Sequence, residues 1–404
     1  MDIRLVGTVR LLRPLVLSLF CAIAWITPAS SAQITRYFPD NAAARPETGW
    51  RITYDVLKRG VHGYGPAEVL EIQSVEFMRG YNERGEKDWI RVLRNLALTE
   101  MYVLYNDGAE FFDISGNTSV FSKSPAIDLP SDGVLWREVR PDGVVAEVVD
   151  EQARWVSVPS NVRRGRTLDL WAVMEAGEYR YILRYSFTDS GAIRVRVGAT
   201  GRNARNMQVG NNSAVHVHMP AWRFEFDLGT LFGNTIQVAE RLPAAPATGL
   251  AAVLNHRPFN GGSEGGEVWD ADRFTTLMIT SQTKNKHAPS HQVSYKLVSS
   301  RTGSLHTAQP FTKSDYWVTR LSPATRPVNA ELQFIEVDQY VRDHESIDNQ
   351  ATAIWHSVPF QHVPGTEDFG PRDYNTSEGL TLTMWSGFDL LPHNLWDKTP
   401  LFQP

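Results

Sequence analysis

The pair His216-Val217-His218 is the first place where residue type and spacing could do chemistry. On a β-strand, residues i and i+2 point to one face, so both imidazoles can converge on a single ion. A motif this short also arises from two unrelated surface histidines. A third ligand has to come from elsewhere in the chain. His362, in Phe360-Gln361-His362-Val363-Pro364, is the best candidate, with His356 its competitor. Three neutral imidazoles with open coordination positions suit copper(II) or zinc. The general order of affinities favours copper where both are available, and the residues alone leave both metals open.

The elements that must position these histidines are strands. From Trp50 onward the chain runs in short β-type segments, such as Arg51-Ile52-Thr53-Tyr54-Asp55-Val56-Leu57 and Ala67-Glu68-Val69-Leu70-Glu71-Ile72, in which apolar and polar residues alternate. A hairpin is predicted from Tyr181–Phe187 through the turn Thr188-Asp189-Ser190-Gly191 into Ala192–Val197. Helical periodicity over ten or more residues is hard to find. The predicted fold class is all-β, a large antiparallel β-sandwich. The stretch Asn260-Gly261-Gly262-Ser263-Glu264-Gly265-Gly266 reads as a flexible loop and Pro243-Ala244-Ala245-Pro246 as an irregular connection. Neither reads as a domain linker, because the same β-type composition resumes after each.

The beginning of the chain is of another kind. Arg4, Arg10 and Arg13 precede an apolar run from Leu15 to Ile26 that ends in Ala29-Ser30-Ser31-Ala32. That is the pattern of a signal peptide over residues 1–32, cleaved after Ala32, which predicts export to the periplasm or the cell exterior. The run falls short of the roughly 20 residues a membrane anchor needs. Residues 33–49 read as an N-terminal extension and 50–404 as one domain. The only cysteine, Cys21, goes with the leader, so the exported chain has neither thiol nor disulfide and depends on burial for stability. Loss of the leader removes three arginines and one aspartate and takes the formal charge from the −5 of the whole chain further negative, which argues against a nucleic-acid partner.

Three separated blocks resemble the copper amine oxidases, in the right order. His216-Val217-His218-Met219-Pro220-Ala221-Trp222-Arg223-Phe224-Glu225-Phe226-Asp227 resembles the family's His-x-His copper strand, and His362-Val363-Pro364-Gly365-Thr366-Glu367-Asp368 resembles the block of its third histidine. Trp317-Val318-Thr319-Arg320 and Glu345-Ser346-Ile347-Asp348-Asn349 are also similar to family sequence. The likeness runs from near Trp50 to Leu401. It implies the family's β-sandwich catalytic domain, its homodimer, and copper(II) on His216, His218 and His362.

The family's second cofactor, topaquinone, is made from a tyrosine in a Thr-x-x-Asn-Tyr-Asp/Glu-Tyr strand. Here Glu175-Ala176-Gly177-Glu178-Tyr179-Arg180-Tyr181 precedes the hairpin and Gly198-Ala199-Thr200-Gly201, which makes Tyr179 the matching tyrosine. Glu175, Glu178 and Arg180 stand where the family has threonine, asparagine and an acid. Positions 178 and 180 are expected to face away from residue 179 on a strand. Leu96–Tyr105 is similar to the segment that leads to the family's proton-abstracting carboxylate, and Phe111-Phe112-Asp113 matches that acid. The resemblance thus implies Asp113 as base and Tyr105 as the phenol that hydrogen-bonds the quinone oxygen. Apolar surroundings from the two phenylalanines would suit Asp113 to take a proton near neutrality. Glu225 and Asp227 occupy strand positions of the family's peripheral calcium-type site, but Ala351 stands eleven residues before His362, where an aspartate is expected.

The implied reaction is oxidative deamination of a primary amine by oxygen to aldehyde, ammonia and hydrogen peroxide. Two rivals stay open at this level: a copper protein of the same fold without the quinone, and an extracellular carbohydrate- or protein-binding sandwich.

Overall fold

Alternation decides the architecture. Buried and half-buried residues take turns through Tyr179–Leu183 and again through Ile193–Val197, so each of these strands presents one face to a core. The computed structural model describes residues 32–38, 46–60, 66–115, 122–124, 129, 131–157, 161–176, 179–201, 214–245, 249–285, 288–301, 303–322, 332–365, 368 and 381–396. Among them the strands begin with β1 (Ala32–Phe38), β2 (Thr48–Gly60), β3 (Pro66–Tyr81), β4 (Lys87–Tyr105) and β5 (Glu110–Phe112). Next are β6 (Ser122–Ser124), β7 (Val134–Val139), β8 (Val145–Ser157), β9 (Asn161–Ala176), β10 (Tyr179–Thr188) and β11 (Ile193–Gly201). The series continues with β12 (His216–Phe226), β13 (Thr235–Pro243), β14 (Ala252–Pro258), β15 (Gly265–Glu267), β16 (Thr276–Lys284) and β17 (Gln292–Ser299). It ends with β18 (Tyr316–Arg320), β19 (Thr352–Ser357), β20 (Phe360–His362) and β21 (Thr381–His393).

The strands form two antiparallel sheets, as predicted. The first runs β1-β2-β3-β4-β12-β19-β18-β15, with β5 on β4 and β20 on β12. The second runs β14-β13-β16-β17-β21-β11-β10-β9-β8-β7, with β6 on β9. Their inner faces interdigitate through aromatic rings: Trp222 of β12 meets Tyr185 of β10 at 5.7 Å, and Phe224 meets Phe388 of β21 at 5.3 Å. The outer face of the first sheet is also covered. Phe311, Phe334 and Val337 pack there against Tyr102, Met219, Ala221 and Trp355. That second layer is why β12 is buried along nearly its whole length.

The Tyr181–Val197 hairpin forms as predicted, closed by the Thr188 amide on the Ala192 carbonyl at 2.9 Å, with Gly191 at φ +90° in the left-handed region. The glycine-rich stretch after Phe259 differs from expectation. Gly265 and Gly266 belong to β15, which pairs with β18. A side chain at either glycine would collide with Asn260, Ser314 or Trp317, so these glycines serve close packing rather than looseness. Residues 33–49, read as an extension, contribute most of the edge strand β1, whose partner β2 begins at Thr48. The leader assigned to residues 1–32 lies outside the described residues except for Ala32, which opens β1 opposite Tyr54. Among the described residues no helix is long and apolar enough to cross a membrane.

Candidate metal centre and active site

β12 is flanked at its start by β4 on one side and β20 on the other. The register sets Tyr105, His216 and His362 in one row across the three strands, and Val103, His218 and Phe360 in the next. His216 and His218 share the inner face as the i, i+2 spacing predicts, and His362 lies directly opposite His216. One nitrogen from each of the three rings lies within 4.8 Å of the others. β10 of the facing sheet lowers Tyr179 and Tyr181 onto this patch, their rings stacked 6.1 Å apart. All three histidines and both tyrosines are buried.

The far nitrogens of the rings decide which nitrogens face inward. His216 Nδ1 lies 2.9 Å from the Ala214 carbonyl, which can only accept, so Nδ1 carries the proton and Nε2 offers its lone pair. Tyr181 donates its hydroxyl proton to Asp113 Oδ2 at 3.0 Å and therefore accepts from His218 Nδ1, also at 3.0 Å, which frees His218 Nε2. His362 Nε2 faces Asp368 Oδ1 at 3.3 Å and leaves Nδ1 free. Thus Nε2, Nε2 and Nδ1 converge, the first two only 3.0 Å apart. Tyr179 closes the group, its hydroxyl 2.9 Å from His216 Nε2 and 3.1 Å from His362 Nδ1.

Burial pulls the pKa of all three histidines down, His216 to about 4, so the imidazoles are neutral near pH 7, the form that binds metal. Burial likewise pushes the Tyr179 phenol above its ordinary value, reinforced by Tyr105, Asp368 and Asp113. Three neutral, oriented imidazoles and one phenol oxygen are a donor set that fits a copper(II) ion.

The other predicted residues are close by. Tyr105 lays its ring on His216 at 4.4 Å and meets Phe111 at 5.6 Å. Asp113 follows β5, its amide bonded to the Met101 carbonyl at 3.0 Å, and its carboxylate reaches the Tyr181 hydroxyl. The two phenylalanines before it part company: Phe111 packs on Tyr105, whereas Phe112 turns to Tyr102 and Phe311 on the outer face. His356, the competing ligand, is occupied elsewhere. Its Nδ1 faces the Asp315 carbonyl at 3.0 Å, its Nε2 faces Ser299 at 3.1 Å, and its ring stacks on Tyr316.

Residues 151–403 match the sequence model of the copper amine oxidase enzyme domain. This chain belongs to the copper amine oxidase family. It is 25% identical to the copper-containing amine oxidase alpha 2, peroxisomal, of Arabidopsis thaliana over 78% of this chain and 54% of that one. It is 23% identical to the primary amine oxidase of Klebsiella aerogenes over 56% of this chain and 34% of the other. The chain therefore spans about half the length, or less, of these curated relatives. A copper-containing benzylamine oxidase from Hansenula polymorpha shares the fold with a TM-score of 0.62 at 18% identity, over 88% of this chain and 61% of that one. An Aspergillus nidulans amine oxidase does so with a TM-score of 0.60 at 17% identity, over 90% and 55%.

In this family frame, Glu175 and Arg180, two of the three residues that differ from the topaquinone motif, are register partners on β9 and β10 and form an ion pair of 3.2 Å. The third, Glu178, lies outside the described residues. Glu225 and Asp227 carry arginines: Glu225 pairs with Arg223, and Asp227 pairs with Arg94 at 2.6 Å. A separate acidic group, Glu264, Asp343 and Glu345, brings carboxylate oxygens within 4.8 Å of one another.

Sequence reasoning assigned no role to Tyr181 or Asp368. Both had a signal. Tyr181 is two residues from Tyr179 and so on the same face of its strand. Asp368 follows His362 closely enough to orient its ring, as outer-shell carboxylates commonly do.

Proposed function

We propose that this chain is an exported, copper- and topaquinone-dependent primary amine oxidase, RCH2NH2 + O2 + H2O → RCHO + NH3 + H2O2. The observation that carries the reading is the placement of the Tyr179 hydroxyl 2.9 Å from His216 Nε2 and 3.1 Å from His362 Nδ1, among the nitrogens that would hold copper. Copper on His216, His218 and His362 and a quinone made from Tyr179 would supply the two-electron redox chemistry that ordinary side chains lack. Asp113 takes the proton from the carbon next to the substrate nitrogen. Tyr181 holds the Asp113 carboxylate through its hydroxyl and ties it to the His218 ring. Tyr105 walls the site beside His216, and by the family likeness its phenol would hydrogen-bond the oxygen of a quinone made from Tyr179. The assembly is a homodimer outside the cytoplasm, by the family likeness and the leader.

The test begins with the chain expressed without copper. Copper(II) is added under air, and the visible spectrum is recorded before and after phenylhydrazine, for wild type and Tyr179→Phe. A copper-dependent band that shifts with phenylhydrazine and is missing in the variant is expected. Bound copper without such a band would overturn the quinone reading and leave a copper protein of the same fold.

A further inference from the structure

Glu100 is a carboxylate at the centre of β4 with no exposure to solvent. Burial pushes its pKa up, and among the described residues no arginine, lysine or histidine pairs with it. Its neighbours are donors instead. Oε1 accepts from the Met101 amide at 2.9 Å and the Ile114 amide at 3.1 Å; Oε2 accepts from the Ser115 amide at 3.1 Å and from the Ser115 hydroxyl. Three amides can only donate, and the Ser115 hydroxyl can donate to a carboxylate or accept from a carboxyl group, so both oxygens of Glu100 are partnered in either protonation state.

The location gives the arrangement a purpose. β4 and β12 slip register between Ala221 and Trp222, where Ala221 pairs with Glu100 and Trp222 with Leu98. The extra residue, Thr99, bonds its hydroxyl to the Ala221 carbonyl at 3.0 Å. Such a bulge re-aims the side chain beside it. Here the re-aimed side chain is Glu100, and two of the three amides it collects, those of Ile114 and Ser115, belong to the turn Asp113–Ser115 that follows β5. That turn has one other described backbone tie to β4, the Asp113 amide on the Met101 carbonyl. On its far side, residues 116–121 lie outside the described residues.

We infer that Glu100 is the positioning residue for the base: a buried carboxyl group that clasps the amides of Ile114 and Ser115 and thereby fixes where the Asp113 carboxylate stands. This rests on the reading of Asp113 as the proton acceptor. It goes beyond that reading because the hydrogen bonds of Glu100 go to Met101, Ile114 and Ser115 and, among the described residues, not to the histidines or Tyr179, so its loss should spare copper binding and cofactor formation while slowing proton abstraction.

The experiment compares the copper-loaded full chain with Glu100→Gln and Ser115→Ala. Gln keeps the shape of Glu100 but sets an NH2 group against an amide donor, whereas Ser115→Ala removes one donor of four. Three quantities are read: the phenylhydrazine titre, the anaerobic bleaching rate with benzylamine or butylamine and its α,α-dideuterated form, and hydrogen exchange at the 114 and 115 amides. For Glu100→Gln we expect an unchanged titre, faster exchange at both amides, and bleaching slowed roughly 10–100-fold with a larger deuterium effect. Ser115→Ala should fall between it and wild type. Unchanged exchange, or wild-type bleaching despite lost protection, would overturn the inference. So would parallel loss of titre and bleaching, which marks a general structural role. Should the wild type bind copper but form no quinone, the amine oxidase reading fails on its own, and exchange alone decides whether Glu100 holds the turn.

Discussion

The two halves of β12 bury polar groups in opposite ways. The first half turns His216 and His218 to the inner face, where neutral rings point lone pairs at one another and at the hydroxyl of Tyr179. The second half turns Arg223 and Glu225 to the outer face, where the arginine bonds its own acid and Asn95, and Asn95 in turn bonds Glu71. Trp355 lies under the guanidinium at 5.5 Å. On the outer face charge meets charge and donor meets acceptor, the pattern of a structural network. On the inner face each ring has satisfied its far nitrogen and left the near one for something else. Burial is the same in both halves. What separates a site from a support is whether the polar atoms complete one another or converge on a common point.

The largest effect should come from emptying the convergent half. His218→Ala removes one of three nitrogens, and roughly 10–16 kcal/mol of metal binding in a typical structural site is shared among three or four ligands. Copper affinity should fall about 1000-fold and the phenylhydrazine-reactive band should be lost. In the absence of copper, the melting temperature should stay within a few degrees of wild type. A copper titration with a chelator competitor, run beside a metal-free melt, reads both. A large fall in metal-free stability would mean that the histidines are structural like their neighbours.

The reverse pattern is expected from the paired half. Arg223→Met takes the guanidinium from a fully buried Glu225, and breaking a buried pair from one side typically costs about 3–5 kcal/mol. Urea midpoints should show that loss, while copper affinity changes less than about threefold. Arg223→Met combined with Glu225→Leu should recover most of it, because no charge is left behind. If the double variant is as unstable as the single, the pair is not what that half of β12 contributes.

Much of this contrast was legible before any coordinates, and the rest was hidden for physical reasons. The i, i+2 spacing of His216 and His218 needs only a strand to bring both rings to one face, and the alternation around Tyr181–Phe187 announces the facing strand that carries Tyr179 and Tyr181. His362, Tyr179, Tyr105 and Asp113 could be named because they stand in family register. Their hydrogen-bond partners could not, since Tyr181 meets His218 across two sheets whose relative stagger no local pattern encodes. Glu100 was hidden by a bulge, which shifts pairing by one residue without any sign in the hydrophobic pattern. The glycines at 265 and 266 misled for the opposite reason. Glycine signals flexibility and close approach alike, and only the facing side chains of Asn260, Ser314 and Trp317 tell which.

The smallest effect tests whether the rule for supports holds on the second sheet as well. Asp169 of β9 is buried between its register partners, Glu147 of β8 and Ser186 of β10, with Arg184 and Glu151 also acting on it. Burial is the main reason its pKa rises to about 6; Glu151 and Glu147 add to the rise, and Ser186 and Arg184 oppose it. An acid whose pKa is higher in the folded state folds best when protonated. Its contribution is therefore full below the unfolded value near 4 and is lost as pH rises through about 6. Above that the folded state holds a poorly solvated carboxylate, and Asp169→Asn, which keeps the shape without the charge, should stabilise the protein by about 1–2 kcal/mol. Most of the gain should be gone at pH 4, where the wild-type group is protonated in the folded state and about half protonated in the unfolded chain. Urea midpoints of both proteins at pH 4 and pH 7.5 decide it. A stabilisation of the same size at both pH values would trace to packing rather than charge. Destabilisation at pH 7.5 would show that Arg184 and Ser186 support this carboxylate as fully as Arg223 supports Glu225.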